Sequence, residues 1–241
     1  AESSHFKMFW IPRSSRRMTD PEFLDRIHFQ YLLYNKKMIA IVDYGMGNLR
    51  SVHKALEHVA PTASITVTSD PDIVQKAKRV VVPGQGAMRN CMHELEIRGL
   101  RQAVMEAATH KPFLGICLGL QMLFEESEEG QTRSLNILPG KVVHFPAAAM
   151  ITADGQKLKV PHMGWNQVYP TIEHPLWEDI ATDARFYFVH SYYVETTDLA
   201  SIAAHSNYPF PFTCAVAKDN IFAVQFHPEK SQLAGLTLLS N

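Results

Sequence analysis

The sequence predicts an α/β fold of three layers: a mostly parallel central sheet flanked by helices, with additional antiparallel β segments. Three observations carry that expectation. Short apolar runs alternate with helical stretches over residues 38–126, as in parallel strands joined by crossover helices. The run Met38–Tyr44 (MIAIVDY) is apolar almost throughout, as a strand buried on both faces is. From residue 141 onward, short β-like segments separated by Pro, Gly, Asn and Asp follow one another, with no long helix until Gln232.

The elements follow in order. Residues 1–37 differ from the rest and carry the basic cluster Arg13-Ser14-Ser15-Arg16-Arg17. Thr19 or Asp20 can cap a helix with Pro21 in its first turn, and Phe23, Ile27 and Tyr31 fall on one face. This stretch lacks an uninterrupted apolar core and reads as an extension appended before Met38. The strand Met38–Tyr44 ends at Gly45-Met46-Gly47-Asn48, and a helix runs from Asn48 or Leu49 to about Val59. Ser64–Thr68, Arg79–Val82 and Pro112–Ile116 read as further strands, Leu100–Thr109 and Leu118–Glu126 as helices. The second half reads as β at Lys141–Phe145, Lys157–Val160, Asn166–Tyr169, Phe186–Val189, Tyr192–Thr196, Ser201–His205, Thr213–Ala217 and Ile221–Gln225. The spacing of Leu233, Leu236 and Leu239 marks a last helix that reads as cut short at Asn241. The domain expected is 38–241.

Composition excludes several classes. With 241 residues, 46% hydrophobic and 20% charged, the chain has a core, and disorder throughout is out. A net charge of -1 leaves no footprint for nucleic acid or an anionic membrane. No apolar run approaches the ~20 residues of a membrane helix. Three cysteines without a C-x-x-C pair argue against a disulfide framework or thiolate zinc site and fit a reducing cytoplasm. The histidines lack ligand spacing, so no metal is expected. Gly45-x-Gly47 is followed by Arg50 rather than a third glycine, and no Walker loop is present, so no nucleotide cofactor is expected either.

Chemistry concentrates in three places. Pro112–Gly119 is an apolar strand running into G-x-C-x-G and then a helix, a thiol version of the nucleophile elbow. Such a turn holds Cys117 in a strained conformation beside a helix N-terminus, where the Leu118 N–H can reach a developing oxyanion. Taken alone, Cys117 is equally a small buried hydrophobe. Next, Phe226-His227-Pro228-Glu229 follows an apolar strand. There His227 can act as base to a thiol and Glu229 can fix its tautomer, though such a pair alone is more often solvated or a cap. Their joint occurrence completes the order Cys…His…Glu. Finally, Val82-Pro83-Gly84-Gln85-Gly86-Ala87 is a glycine loop opening onto the sheet crevice, or a plain tight turn.

Together these segments resemble the class I, or triad, glutamine amidotransferases, a family of flavodoxin-like fold. The elbow is Gly115-Ile116-Cys117-Leu118-Gly119-Leu120-Gln121 and the strand-end motif His227-Pro228-Glu229. Asp43–Leu49, Pro161–Asn166, Phe188–Tyr193 and His227–Ser231 look like the glutaminase subunits of imidazole glycerol phosphate synthases. The resemblance spans 38–241. It implies L-glutamine as substrate, no cofactor, and, as partner, a (β/α)8 cyclase subunit. It further implies a Cys117, His227, Glu229 triad, and an oxyanion hole from Leu118 and the Gln85-Gly86 loop. By the same analogy Gln121, Glu129, Ser191 and Tyr192 hold glutamine, and Asn48, Trp165 and Lys230 face the cyclase. Gln85 stands where the family often has Val. Two alternatives remain open: the glutaminase of another amidotransferase, and a non-catalytic scaffold subunit.

Overall fold

The structure, a computed structural model, describes residues 38–151 and 155–241. The helix expected from Thr19 and the break before Met38 lie outside the described residues. The first described strand lies inside the sheet. Strand β1 (Met38–Val42) pairs in parallel with β2 (Ser64–Thr68) on one side and β3 (Arg79–Gly84) on the other. β4 (Phe113–Cys117) pairs in parallel with β3, and β14 (Ile221–Val224) with β4. These five form a parallel core in the order β2-β1-β3-β4-β14. β1 is buried along its length, with Met38, Ala40 and Val42 in one apolar cluster and Ile39 and Ile41 in the other. That split by alternate residues is the period of a strand covered on both faces.

Helices supply the covers. α1 (Leu49–Val59) buries Val52 and Leu56 against the Ile39 face, and α6 (Gln232–Ser240) places Leu238 there. α2 (Pro71–Lys76), α3 (Met88–Ile97) and α4 (Leu100–His110) cover the opposite face through Val74, Leu95, Leu100 and Val104. Neither α2 nor α3 is among the expected helices. Both are short, and Ala87, the residue before α3, supplies no side-chain cap of its own. Its signal lies in the i, i+3, i+4, i+7 spacing of buried Met88, Cys91, Met92 and Leu95.

Beyond β14 the sheet turns antiparallel through β13 (Pro211–Lys218), β11 (Tyr192–Thr196) and β7 (Gly140–His144). The short β5 (Glu126–Ser127) and β6 (Thr132–Arg133) finish that edge, and β12 (Ile202–Asn207) with β9 (Tyr169–Pro170) branches from β13. A separate antiparallel ribbon, β8 (His162–Gln167) with β10 (Arg185–His190), lies over this half. An aromatic cluster holds it down. Phe145 packs 5.3 Å from the His190 ring and 4.9 Å from Tyr193, and His162 stacks 4.9 Å from Phe188 and 4.0 Å from Tyr208.

Two further expectations need correction. Lys157–Val160 forms no strand; only Lys157 bridges Ile151, and β8 starts at His162, four residues before the expected Asn166. The helix expected over Leu118–Glu126 is one turn, α5 (Leu118–Gln121). The Leu123 and Phe124 N–H groups fall back to the carbonyls three residues earlier, the Glu125 N–H donates to the Gly140 carbonyl, and the Met122 carbonyl accepts from the Leu135 N–H. Leu120, Met122, Leu123 and Phe124 are all buried, so no solvent face exists for a longer helix. Among the described residues no helix is long and apolar enough to cross a membrane.

Candidate active site

The site lies where the parallel strands end, beside the loops after β3, β4 and β14. Open α/β sheets bind ligands in such a crevice. Cys117 closes β4 with φ 56° and ψ -107°, a conformation L residues avoid. Glycine makes that turn possible. A Cβ on Gly119 would overlap the Val82 carbonyl oxygen, and one on Gly115 would sit 2.7 Å from the Gly119 oxygen. The backbones of β3, β4 and α5 therefore touch directly, and the side chain of Cys117 is thrown to the crevice wall.

β14 ends one residue before Gln225. By strand parity, Gln225 and His227 fall on the same face. His227 Nδ1 lies 2.9 Å from Glu229 Oε1, with both side chains almost fully buried. Burial disfavours a charged imidazole, but the Cys117 sulfur and the Glu229 carboxylate outweigh it and raise His227 to about 9. His227 Nε2 has no hydrogen-bond partner among the described residues. One ring nitrogen is thus tied to the carboxylate while the other is open to take and return a proton. The other two cysteines differ. Burial pushes Cys91 to about 12 and Cys214 well above the ordinary thiol range.

A cavity of about 440 Å³ opens over Cys117, large enough for an amino-acid-sized ligand. Gln85, Gly86, Leu118, Gln121, Glu129, Ser191, Tyr192 and Lys230 all line it, so those sequence-selected residues meet in one place. Gly86 has φ +103°. The Gln85 carbonyl accepts from the Cys91 thiol at 3.7 Å, which holds the Gln85-Gly86 peptide from behind. One Glu129 oxygen caps α3 through the Met88 N–H at 2.7 Å. Asn48 and Trp165 do not reach the cavity. Asn48 caps α1, and Trp165 stands on β8, partly exposed beside the exposed Met163. Sequence motifs alone assign no role to His190, which lies inside the Phe188–Tyr193 motif, or to Tyr187 and Gln225, although a glutamine inside the apolar run Ile221–Phe226 is a signal in itself. His190 and Tyr187 line the cavity wall, and the Gln225 amide donates to the Cys117 sulfur at 3.7 Å.

The family model for glutamine amidotransferase class-I matches residues 40–241. The chain belongs to the class-I glutamine amidotransferases. Within that family it is 70% identical over 203 residues to the imidazole glycerol phosphate synthase subunit HisH of Nitrosospira multiformis, covering 84% of this chain and 95% of that one. It is 66% identical to the HisH subunit of Nitrosomonas europaea, covering 84% of this chain and 96% of that one. Solved structures show the same amidotransferase fold at low identity. A crystal structure of a glutamine amidotransferase superposes with TM-score 0.60 at 16% identity, over 82% of this chain and 94% of that one. The PurLQS structure from Thermotoga maritima gives 0.60 at 15%, over 83% and 94%. As an amidotransferase, the chain departs from a longer-helix elbow in one respect. With only one turn at α5, the helix dipole beside Cys117 is small.

Proposed function

We propose that residues 38–241 are the glutaminase subunit of an imidazole glycerol phosphate synthase, working in L-histidine biosynthesis. The observation that carries the reading is the strained Cys117 facing a buried His227–Glu229 pair, in a chain 70% identical to a HisH subunit. His227 takes the Cys117 thiol proton, and the sulfur attacks the side-chain carbonyl carbon of glutamine. The tetrahedral oxyanion receives the Leu118 N–H. A second donor, the Gln85 N–H, arrives when the Gly84-Gln85 peptide turns, since the next peptide is held by Cys91. His227 gives its proton to the departing nitrogen, releasing ammonia and leaving a γ-glutamyl thioester. Water, deprotonated by His227, cleaves that thioester to glutamate, and the electron pair returns to sulfur. Glu229 keeps the imidazole oriented and offsets its charge.

Gln121, Glu129, Ser191 and Tyr192 line the same cavity as Cys117 and, by the family analogy, would hold the amino and carboxylate groups of glutamine. Asn48, Trp165 and Lys230 would face a (β/α)8 cyclase that receives the ammonia and makes imidazole glycerol phosphate. A half-built oxyanion hole loses roughly 10²–10³ in rate. Glutamate release by the chain alone should therefore be weak, rise strongly with the cyclase and its nucleotide ligand, and vanish in Cys117→Ala. Brisk turnover without any partner would overturn the gating, and turnover retained in Cys117→Ala would overturn the triad.

A further inference from the structure

We infer that Gln225 is a further catalytic residue, its side-chain amide donating to the Cys117 sulfur whenever that sulfur is negative, with Gln121 as the residue that positions it. The inference rests on the reading of Cys117 as nucleophile. Gln225 is fully buried, so both ends of its amide must find partners. Its Nε2 lies 3.7 Å from Cys117 Sγ, and its Oε1 lies 3.0 Å from Gln121 Nε2.

The polarity of this contact follows from its neighbours. Gln121 Nε2 also sits 2.9 Å from the Tyr192 carbonyl oxygen, which can only accept. Gln121 must therefore present its amide nitrogen there, and the same nitrogen donates to Gln225. The Gln225 atom facing it is then the oxygen, and the NH₂ group is left facing sulfur. A rotated Gln225 would put oxygen against a thiolate and nitrogen against nitrogen, both unfavourable.

The anchor at Tyr192 is itself built. His190 Nδ1 donates to the same carbonyl at 2.8 Å, which makes His190 Nε2 an acceptor for His162 Nδ1 at 2.9 Å. His162 Nε2 then accepts from Asn166 Nδ2 at 3.2 Å. Burial keeps both rings neutral, His162 lowered to about 4 and His190 to about 3. Two donor series thus converge on the Tyr192 carbonyl, one from Asn166 on β8 through His162 and His190, the other from Gln121, whose amide nitrogen also donates to Gln225 and so aims the Gln225 NH₂ at the sulfur.

In the reaction Gln225 transfers no proton. It stabilises the thiolate before the sulfur–carbon bond forms. It stabilises the sulfur again when water breaks that bond and the electron pair returns. A donor to a charged acceptor is worth more than one to a neutral thiol, so the contact favours the charged state selectively.

The test uses iodoacetamide on the full chain from about pH 5 to about pH 10, with labelled peptides read by mass spectrometry. Gln225→Met keeps the volume and removes the donor, and Gln225→Glu keeps the shape and introduces an anion. The pH of half-maximal Cys117 alkylation should rise by about one unit in Gln225→Met, a tenfold loss of thiolate at neutral pH. It should rise further in Gln225→Glu, and partly in Gln121→Leu. Wild-type alkylation profiles in folded Gln225→Met or Gln225→Glu overturn the inference. If one of them does not fold, the other decides. A wild-type chain in which Cys117 labels no faster than Cys91 and Cys214 would instead overturn the nucleophile reading itself.

Discussion

At Glu229 the site depends on one carboxylate that is buried with its histidine. Only Oε1 is engaged by His227, and Oε2 has no partner among the described residues, so burial of this charge is supported by the imidazolium. Replacing it by Gln keeps the shape and removes the charge. Glu229→Gln should lower kcat by roughly 10⁴-fold, the loss seen when an orienting carboxylate of a triad becomes an amide. It should also move the alkaline limb of activity. In the wild type Cys117 and Glu229 raise His227 to about 9, so it stays protonated up to that pH and, in the proposed mechanism, can serve the leaving nitrogen. Activity should fall above about pH 9 in the wild type and from lower pH in Glu229→Gln. An unmoved limb in a pH–rate series would detach Glu229 from His227.

The elbow is a property of three elements rather than of the cysteine. β3, β4 and α5 come within backbone contact because Gly84, Gly115 and Gly119 carry no side chain. A Cβ at Gly84 would meet the Tyr44 hydroxyl at 2.5 Å and the Leu118 Cβ at 2.7 Å. Gly119→Ala forces its methyl onto the Val82 carbonyl, backbone that can yield only by moving β3. Overpacking of that kind costs about 1–3 kcal/mol, or roughly 2–12 °C in Tm for a chain of this size. Calorimetry should show that drop, together with slower Cys117 alkylation as the turn opens. Native Tm and native reactivity in Gly119→Ala would contradict the close approach of β3 and α5.

Over the whole molecule, three buried histidines set opposite pH responses. His162 and His190 are held neutral in the fold, lowered to about 4 and about 3 by burial. The unfolded chain protonates them near 6.5, so stability is full above that pH and falls as pH drops toward 4. His227 works the other way. Raised to about 9, it contributes fully below 6.5, and its contribution is lost as pH rises through 9. These contributions give a stability maximum near pH 6.5. Denaturant titrations from about pH 5 to about pH 9 should trace that dome. The acid slope should shrink in His190→Gln, and the alkaline slope in His227→Gln. A curve rising monotonically to pH 9 would mean that Cys117 and Glu229 do not raise His227 in the fold.

Sequence alone determined the parallel half of the sheet and picked out the residues of the proposed triad, because both signals are local. A run such as Met38–Val42 is buried on two faces whatever surrounds it, and a G-x-C-x-G after an apolar strand can make few other turns. The His227-Pro228-Glu229 spacing sets the imidazole–carboxylate contact over two residues. Tertiary structure decided the rest. The helix after Cys117 stops at Gln121 because the Glu125 N–H goes to the Gly140 carbonyl and the Met122 carbonyl to the Leu135 N–H, a competition from segments apart in sequence. Lys157–Val160 stays out of the sheet although its residues alternate, and only pairing can show that. Gln225 reads as the end of a strand, since its partners Cys117 and Gln121 lie more than a hundred residues upstream. Strand and turn propensities act within a few residues. Carbonyl competition and the polarity of a buried amide depend on neighbours that only the folded chain brings together.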